Sequence, residues 1–422
     1  MVLTGSTSGS WFQPWSLRRL VADLQSGRTS TADVLERCRA RLAETESEVH
    51  AWVDYPVVPD DAPGDGLASA PIGVKDIIDL SGYPTKCGSS LRAGIASASR
   101  TASIVDAWVD AGALPIGKTV TTEFGYFAPG PTTNPAAPGH TPGGSSSGSA
   151  AAVAAGQVPL ALGAQTAGSV TRPAAFCGVA SLVMSHGRYP GDGVVGLSPS
   201  LDSHGFFAAG TSDLAFAWSA LTGEEDVCTD LSRPPRLLLW SAAPLGVTSK
   251  EMTDALGATA LRLTAAGATV DPFPLEDLVA DCAAAHPVVM AYEAARERAA
   301  ELARADQLSA PLTQLLRSGE RTSEADYAAA RGQIDRALDR VLAVMKSYDA
   351  IIGPGAPGAA PRGLEATGDP VLSRPWQAMG LPAVCVPGLR NAEGLPLGLQ
   401  LLGAPNCEAG TLRTACWVER HL

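Results

Sequence analysis

Helical spacing of apolar residues is the first clear pattern along the chain. In Trp15–Ser26 apolar residues recur every three or four positions, with Ser16 placed to cap a helix and Gly27 placed to end it. The same spacing predicts a second helix over Thr31–Thr45. We therefore expect residues 1–60 to form an N-terminal helical segment that packs on the rest of the chain.

A different pattern begins after the Pro-, Asp- and Gly-rich stretch Val57–Ala70, which is typical of a loop. Short apolar runs of the kind found in buried strands then alternate with helical stretches, except for a mostly helical, Ala-rich part at about residues 275–345. The alternation predicts one large α/β domain over residues 61–422, with a helical insertion. The predicted strands are Ile72–Val74, Leu114–Ile116, Val158–Leu162, Leu237–Trp240, Ala350–Ile352, Ala383–Val386 and Leu397–Leu402, and the first predicted helices between them are Ser103–Ala111 and Ala150–Ala155.

A segment without Asp, Glu, Lys or Arg extends from Phe124 through Thr171. A surface segment of this length would normally carry charges, and its Gly, Ser, Ala and Pro content allows two interpretations. One is a flexible linker, and the other is a packed block in which backbones approach each other or a ligand closely. The regular Ala-rich helix inside the segment favours the packed block.

The composition excludes several classes of function. The 422 residues carry a net charge of −12, from 31 basic and 43 acidic side chains, which argues against a nucleic-acid-binding protein. The cysteines are scattered without a CxxC pair, and there is no HExxH motif, so we expect neither a metal site nor a disulfide framework. The polar N-terminus lacks the order of a signal peptide, and no stretch is apolar enough to span a membrane. We expect a cytoplasmic protein with reduced thiols and no cofactor.

Two motif matches fail because of their context. Gly112–Thr119 fits the P-loop pattern, but its helix precedes the glycines, whereas a P-loop needs the helix after them. Gly144–Gly148 fits the G-x-S-x-G nucleophile elbow, which would make Ser146 the nucleophile. The elbow requires a strand directly upstream, and the sequence there predicts a loop. The P-loop match is therefore better explained by chance, and the nucleophile elbow is disfavoured.

Three other residues can form a nucleophilic site. Lys75 ends an apolar strand, and Ser145 and Ser169 lie in two turns that are separated by one helix and one return strand, so that their hydroxyls can meet at one sheet edge. Burial should lower the pKa of such a lysine toward neutrality, and a neutral amine can act as the base that a serine nucleophile needs. Taken alone, Lys75 is better explained as a strand-end lysine that pairs with Asp76 or reaches water.

The blocks around these residues resemble the amidase signature family. The resemblance runs from about Pro71 to the C-terminus, is densest at Thr141–Gly156 and Leu160–Ser169, and continues through Arg172–Gly178. Further matching blocks are Pro71–Asp76, which holds the lysine, Gly117–Phe124, which explains the false P-loop, and Gly380–Pro387 and Gly394–Gln400.

The resemblance implies a fold and a catalytic site. The fold would be a mixed β-sheet covered by helices on both faces. The site would be a Ser–cisSer–Lys triad, in which Ser169 is the nucleophile, Ser145, preceded by a cis peptide bond, relays the proton, and Lys75 is the base. The backbone amides of Thr166, Ala167, Gly168 and Ser169 would form the oxyanion hole, and Asp76 and Ser147 would orient the lysine and the turn.

Substrate contacts are suggested by position only. Most family members carry an arginine two residues after the nucleophile, where this chain has Thr171 and places Arg172 one residue later. This offset resembles the malonamidase-like branch, in which the arginine binds a substrate carboxylate, although Arg172 could equally be a structural arginine. Tyr126 and Trp376, with Phe127 and His204, occupy family positions in the pocket wall, whereas each of these residues taken alone would be placed in the core.

The resemblance implies an amidase that hydrolyses the C–N bond of a small amide, which could carry a carboxylate, through a Ser169 acyl-enzyme. An alternative is an acyltransferase or amide-forming enzyme of specialised metabolism, which the altered block Ser181–Ser185 suggests. A transamidosome component of the same family is disfavoured because it predicts arginine at Thr171. We expect a small-molecule substrate and neither a nucleic-acid nor a membrane partner, and we consider a homodimer as the assembly.

Overall fold

A mixed β-sheet of ten strands runs through the part of the chain that the structure describes. The structure is a computed structural model, and it describes residues 10–59 and 67–422. The strands are β1 (Ala70–Lys75), β2 (Ala113–Thr119), β3 (Leu160–Gln165), β4 (Ala180–Val183), β5 (Ser203–Ala208), β6 (Arg236–Leu239), β7 (Thr269–Pro272), β8 (Ala350–Pro354), β9 (Ala383–Arg390) and β10 (Pro396–Leu402).

The strand order is β2-β1-β3-β5-β4-β9-β10-β8-β6-β7. Parallel pairs form both ends, where β1 pairs with β2 and β3, and β6 pairs with β7 and β8. The five pairs in the middle are antiparallel. Every residue of β1, β3, β8 and β10 is buried, so these strands are covered on both faces. The predicted α/β class and mixed sheet are confirmed.

Helices pack against this sheet and form the insertion. The two N-terminal helices begin where the sequence predicts, with Ser16 capping the first and a capping box of Ser30 and Asp33 starting the second. The second helix continues four residues beyond the predicted end at Thr45. The helices are α1 (Leu17–Gln25), α2 (Thr31–Val49), α3 (Ser103–Asp110), α4 (Ser147–Ala154), α5 (Thr171–Cys177), α6 (Thr211–Thr222), α7 (Lys250–Ala265), α8 (Glu276–Glu297), α9 (Ala299–Leu302), α10 (Ala310–Arg321), α11 (Glu324–Met345), α12 (Arg374–Ala378) and α13 (Glu408–Glu419).

The N-terminal helices contact the sheet, whereas the helical part 275–345 contacts α12. Helix α1 contacts α6 and β1, and α2 contacts β1. Helices α8 to α11 lie between β7 and β8 in the chain, and α8 packs against α10, α11 and α12. The proposed boundary at residues 60 and 61 lies outside the described residues.

The charge-free segment is a packed block from Thr141 onward, whereas residues 125–140 are partly exposed. From Thr141 to Cys177 every residue is buried except Thr166. Gly148 in α4 shows how closely the backbones approach, because a Cβ atom there would lie 2.2 Å from the carbonyl oxygen of Ala51 and 2.4 Å from the amide nitrogen of Val120. The block is therefore not a linker, and the one residue that escapes full burial belongs to the site described below.

No helix among the described residues has the length and apolar character that a membrane span requires.

Candidate active site

Lys75 ends β1 inside the protein. Its side chain is completely buried, and its Nζ lies 2.7 Å from the Oγ of Ser145 and 3.0 Å from the carbonyl oxygen of Ala164. Burial lowers the pKa of Lys75 from 10.5 to about 7, although the charge of Asp202 opposes this change. At neutral pH a large fraction of Lys75 is therefore an uncharged amine that can accept a proton.

Ser145 lies in the turn that leads into α4. The Gly144–Ser145 peptide bond is cis, which is the geometry that the resemblance implied. The carbonyl oxygen of Gly144 accepts a hydrogen bond from Nη2 of Arg172 at 2.7 Å, and the carbonyl oxygen of Ser145 accepts one from the amide of Thr122 at 3.3 Å. The two carbonyl groups that flank the turn are thus held from different parts of the chain, and Ser145 is directed toward Lys75.

Ser169 lies in a loop between β3 and α5 whose amides are free. Among the described residues, the backbone N–H groups of Thr166, Ala167, Gly168 and Ser169 donate no hydrogen bond. The next two amides, of Val170 and Thr171, donate to Oε1 of Gln165 at 2.9 and 3.0 Å. Free amides just before a helix can stabilise a developing negative charge. The loop has the donors that an oxyanion hole requires.

Ser169 and Ser145 face the same small cavity, but their hydroxyls are not hydrogen-bonded to each other. The backbone joins the two turns instead, because the amide of Ser146 donates to the carbonyl oxygen of Ser169 at 3.2 Å. Catalytic hydrogen bonds are often long or absent without substrate. Of the predicted proton path, the Lys75–Ser145 step is in place as a hydrogen bond, and the Ser145–Ser169 step is not.

Gln165 and Gln377 hold the loop Thr166–Ser169, called the free loop below because its amides donate no hydrogen bond within the described part of the chain. Neither glutamine is identified as a site residue from the sequence. Besides accepting from the two amides at the start of α5, Gln165 donates through Nε2 to Oε1 of Gln377 at 2.9 Å. Gln377 in α12 donates in turn to the carbonyl oxygens of Gln165 and Leu201 and to the hydroxyl of Ser203. Gln165 lies within the block Leu160–Ser169 that resembles the family, so the sequence offers a signal for it. Gln377 is 212 residues away from Gln165, and no local sequence pattern distinguishes it.

Thr166, the first residue of the free loop, is held at two points. Its hydroxyl donates to Oδ1 of Asp202 at 2.5 Å, and its carbonyl oxygen lies 2.8 Å from Nε2 of His286 in α8. Because a carbonyl oxygen only accepts, this nitrogen of His286 carries the hydrogen. Burial lowers the pKa of His286 to about 4, so the ring is neutral at neutral pH. Helix α8 thereby contributes directly to the position of the loop.

Two cavities of unequal size meet at Ser145 and Thr166. The smaller has a volume of about 20 Å³ and is lined by Ser169 and the free loop. The larger has a volume of about 450 Å³ and contains Lys75 and Asp202. Another cavity, of about 580 Å³, lies among α8, α10 and α11 and includes none of the residues discussed above.

Arg172 is buried and mostly engaged with the backbone. Its Nε donates to the carbonyl oxygen of Thr367 at 2.7 Å, and its Nη2 to that of Gly144. Its Nη1 is buried and has no partner among the described residues, and the same holds for Nε of Arg374. Both arginines belong to the lining of the small cavity. Burial lowers the pKa of Arg172 to about 9, and the nearby Asp369 opposes the effect. The arginine has a structural role, and one of its nitrogens is left without a partner among the described residues.

The other predicted contacts divide between the cavities and the core. Tyr126 and Phe127 line the small cavity, and His204 lines the large one. The prediction that Trp376 lies in the pocket wall is wrong. Its side chain is 1% exposed and packs edge-on against Trp240 and Phe273, away from both cavities.

The predicted roles of Asp76 and Ser147, which were to orient the lysine and the turn, also need a correction. Asp76 does not bind Lys75, because its Oδ1 lies 3.3 Å from Nζ of Lys118, the lysine of the false P-loop. Ser147 has a weak contact, 3.5 Å long, from its hydroxyl to the carbonyl oxygen of Val120. Within the described ranges, no group of three or more His, Cys, Asp or Glu residues is arranged to hold a metal ion.

Comparison with known proteins gives a consistent result. The family model described as Amidase matches residues 58–412. The A component of glutamyl-tRNA(Gln) amidotransferase of Synechococcus sp. (strain CC9311) is 30% identical, with 90% of this chain and 91% of that protein covered. The same component from Deinococcus deserti is 32% identical, with 80% of each chain covered. A solved structure described as an amidase has a TM-score of 0.85 and 26% identity, with 97% of this chain and 100% of that chain covered.

Fold, site and comparisons together define an amide-hydrolysing enzyme. The chain belongs to the amidase family, whose model spans most of the sequence, including β1 to β10.

Proposed function

We propose that this protein is an amidase that hydrolyses the C–N bond of a small amide through an acyl-enzyme on Ser169. In this mechanism Ser145 relays the proton of Ser169 to neutral Lys75, and the Ser169 oxygen attacks the carbonyl carbon. The oxyanion is stabilised by the amides of Thr166, Ala167, Gly168 and Ser169. The proton returns to the leaving amine, and water then releases the acid.

The observation that carries the proposal is the hydrogen bond between a completely buried lysine and Ser145, beside four free amides. A buried amine with a pKa of about 7 is a suitable base near neutral pH. The free amides have no hydrogen bond within the described residues to give up before they receive a negative charge. Loss of one such donor typically costs about 3 kcal/mol of barrier. Together they supply a base and an electrostatic stabiliser at one point.

A carboxylate on the acyl group, in the manner of malonamidase-like enzymes, would be placed beside Arg172 and Arg374 at the small cavity, which would have to widen from its volume of about 20 Å³ to admit it. Arg172 and Arg374 both line this cavity, and Nη1 of Arg172 and Nε of Arg374 are buried without a hydrogen-bond partner among the described residues. Arg172 cannot offer its Nε–Nη2 edge, because that edge binds Thr367 and Gly144. We therefore propose that a carboxylate would be shared between two arginines rather than held by a single bidentate one.

Four alanine or methionine variants test the proposal on a panel of short amides, with and without a carboxylate. Ser169→Ala, Ser145→Ala and Lys75→Met should each lower kcat/KM by at least about 100-fold. Ser146→Ala is the matched control, because its hydroxyl makes only a 3.4 Å contact to the carbonyl oxygen of Ala164. Loss of activity in Ser146→Ala with activity retained in Ser169→Ala would replace the proposal by the nucleophile-elbow assignment.

A second candidate is the activity named for the two relatives, that of an amidotransferase component. Their identity of 30% and 32% over most of this chain favours it. The isolated chain would then be poorly active on free amides and would need partner chains. Full turnover of short amides by the purified chain would argue against this candidate. The relatives give no support for acyl transfer to an amine, and we do not propose it.

We also propose a cytoplasmic location, which is supported by eight cysteines that are all unpaired. For the assembly we propose a homodimer, for which the mass in solution is the test.

A further inference from the structure

The two cavities that meet at Ser145 divide the site into unequal halves. Ser169 and the free loop line the smaller cavity, whose volume of about 20 Å³ is room for about one water molecule. Lys75 faces about 450 Å³, which is within the range of about 300–1,000 Å³ that holds a drug-sized ligand. Ser145 and Thr166 belong to the lining of both. A substrate bound across Ser145 therefore has little space on one side and ample space on the other.

The chemistry determines which part of the amide takes which side. In the tetrahedral intermediate the oxyanion points to the amides of Thr166–Ser169, and the nitrogen must point to the hydroxyl that returns the proton. That hydroxyl belongs to Ser145, which is hydrogen-bonded to Lys75 on the side of the large cavity. The substituent of the nitrogen thus enters the large cavity, and the substituent of the carbonyl carbon remains in the small one.

We propose that the large cavity is the subsite for the leaving amine, and that the substrate is a secondary amide with a small acyl group and a bulky amine. The inference rests on the proposed function, because it uses the roles of Ser145 and Lys75. In the reaction the Ser169 oxygen bonds to the carbonyl carbon, its proton passes to Lys75, and the C–N bond breaks as Ser145 delivers that proton to the nitrogen. The free amine leaves through the large cavity, and water enters there to hydrolyse the ester.

The walls of the large cavity offer apolar surface to an aryl or alkyl substituent on the amine, beside the carboxylates of Asp202 and Glu297. Ile77, Met184, Val195 and Leu197 contribute apolar surface. The two arginines in the lining have carboxylate partners, since Arg188 lies 3.9 Å from Glu224 and Arg298 lies 3.4 Å from Glu301. Met184–Arg188, the end of the altered block and the residues that follow it, line this cavity, so the departure from the family pattern falls in the proposed amine subsite.

Two isomeric amides test the assignment with equal size and composition. N-(2-phenylethyl)acetamide carries its ring on the amine, and N-ethyl-2-phenylacetamide carries it on the acyl group. Burial of a phenyl ring in the large cavity should make kcat/KM for the first at least about tenfold higher. Equal values or the reverse order would overturn the inference while leaving the acyl-enzyme proposal intact.

Protection of Ser169 from a fluorophosphonate probe gives a readout that does not need turnover. We expect 2-phenylethylamine to slow labelling of Ser169, and ethylamine and phenylacetate at the same concentration to do so much less. Protection by phenylacetate alone would contradict the amine subsite. Absence of labelling at Ser169 without any additive would instead count against the proposed function.

A substitution in the wall of the large cavity distinguishes an effect on that cavity from a general effect on the enzyme. Val195→Trp should fill the large cavity and reduce the ratio of kcat/KM for the two isomers at least about fivefold. Leu261→Trp, at a position 74% exposed in α7, is the matched control and should leave the ratio unchanged. An unchanged ratio in a folded Val195→Trp protein would contradict the assignment, and the wild-type comparison stands if this variant does not fold.

Discussion

Replacing Lys75 by methionine should change how the stability of the protein depends on pH. Burial lowers the pKa of Lys75 from 10.5 to about 7, so the unfolded chain holds a proton between these pH values that the folded chain has released. The cost of burying the amine is therefore largest below pH 7, at about 5 kcal/mol, and disappears as the pH rises toward 10.5. Methionine has no such cost.

Urea unfolding of both proteins between pH 6 and pH 10 measures this difference. Relative to Lys75→Met, the free energy of unfolding of the wild type should rise by about 3–4 kcal/mol from pH 7 to pH 10. Groups common to both proteins cancel in the comparison, and Lys250→Met, which removes an exposed lysine, is the control for loss of a lysine. A difference between wild type and Lys75→Met that stays constant over this range would refute the argument that Lys75 is buried uncharged.

Three further predictions concern activity. Because the base must be neutral, kcat/KM of the wild type should rise with pH through about 7 and then level off, and a flat profile would contradict a lysine base. His286→Leu removes the donor to the carbonyl oxygen of Thr166 and should lower kcat by up to about 100-fold with little change in KM. His286→Gln should recover part of kcat, and a change in KM alone would exclude a positioning role. Arg374→Met should reduce kcat/KM for amides with a carboxylate on the acyl group about tenfold more than for uncharged amides, and equal losses on both would remove the shared-carboxylate idea.

Much of the site could be predicted because its residues lie in short, ordered blocks. Lys75 ends a strand that is recognisable by its apolar run, and the two serine turns flank one helix and one strand, as their spacing predicts. The absence of charge between Phe124 and Thr171 indicates dense packing, because charged side chains are costly to bury without partners. The structure has this packing from Thr141 onward, whereas Pro129, Pro131, Pro138 and Gly139 are exposed.

The residues that position the site could not be predicted, since they come from distant parts of the chain. His286 is 120 residues from Thr166, and its neighbours in α8 show only a helix that packs on other helices. For Arg172 the sequence leaves a substrate contact and a structural role open, and its partner Thr367, which favours the structural role, is 195 residues away.

Some strands were missed for a related reason. Strand β5 begins with Ser203, His204 and Gly205, whose polar or small side chains give no apolar run, and it is stabilised by pairing with β3 and β4 on either side. Strand β7 lies at the edge of the sheet and none of its residues is fully buried, so it lacks the pattern of a core strand. Trp376 was placed in the pocket by position alone, and its packing against two aromatic rings became visible only in three dimensions.

Transfer of the acyl group of the substrate to Ser169 is tested most directly by mass spectrometry of the enzyme trapped during turnover. The enzyme is quenched in acid during turnover of a slow amide or of the corresponding ester, digested, and analysed by mass spectrometry for the acylated peptide. We predict the acyl mass on the peptide that contains Ser169, and its absence in Ser169→Ala. An acyl group on Ser146, or sustained turnover by Ser169→Ala, would contradict it.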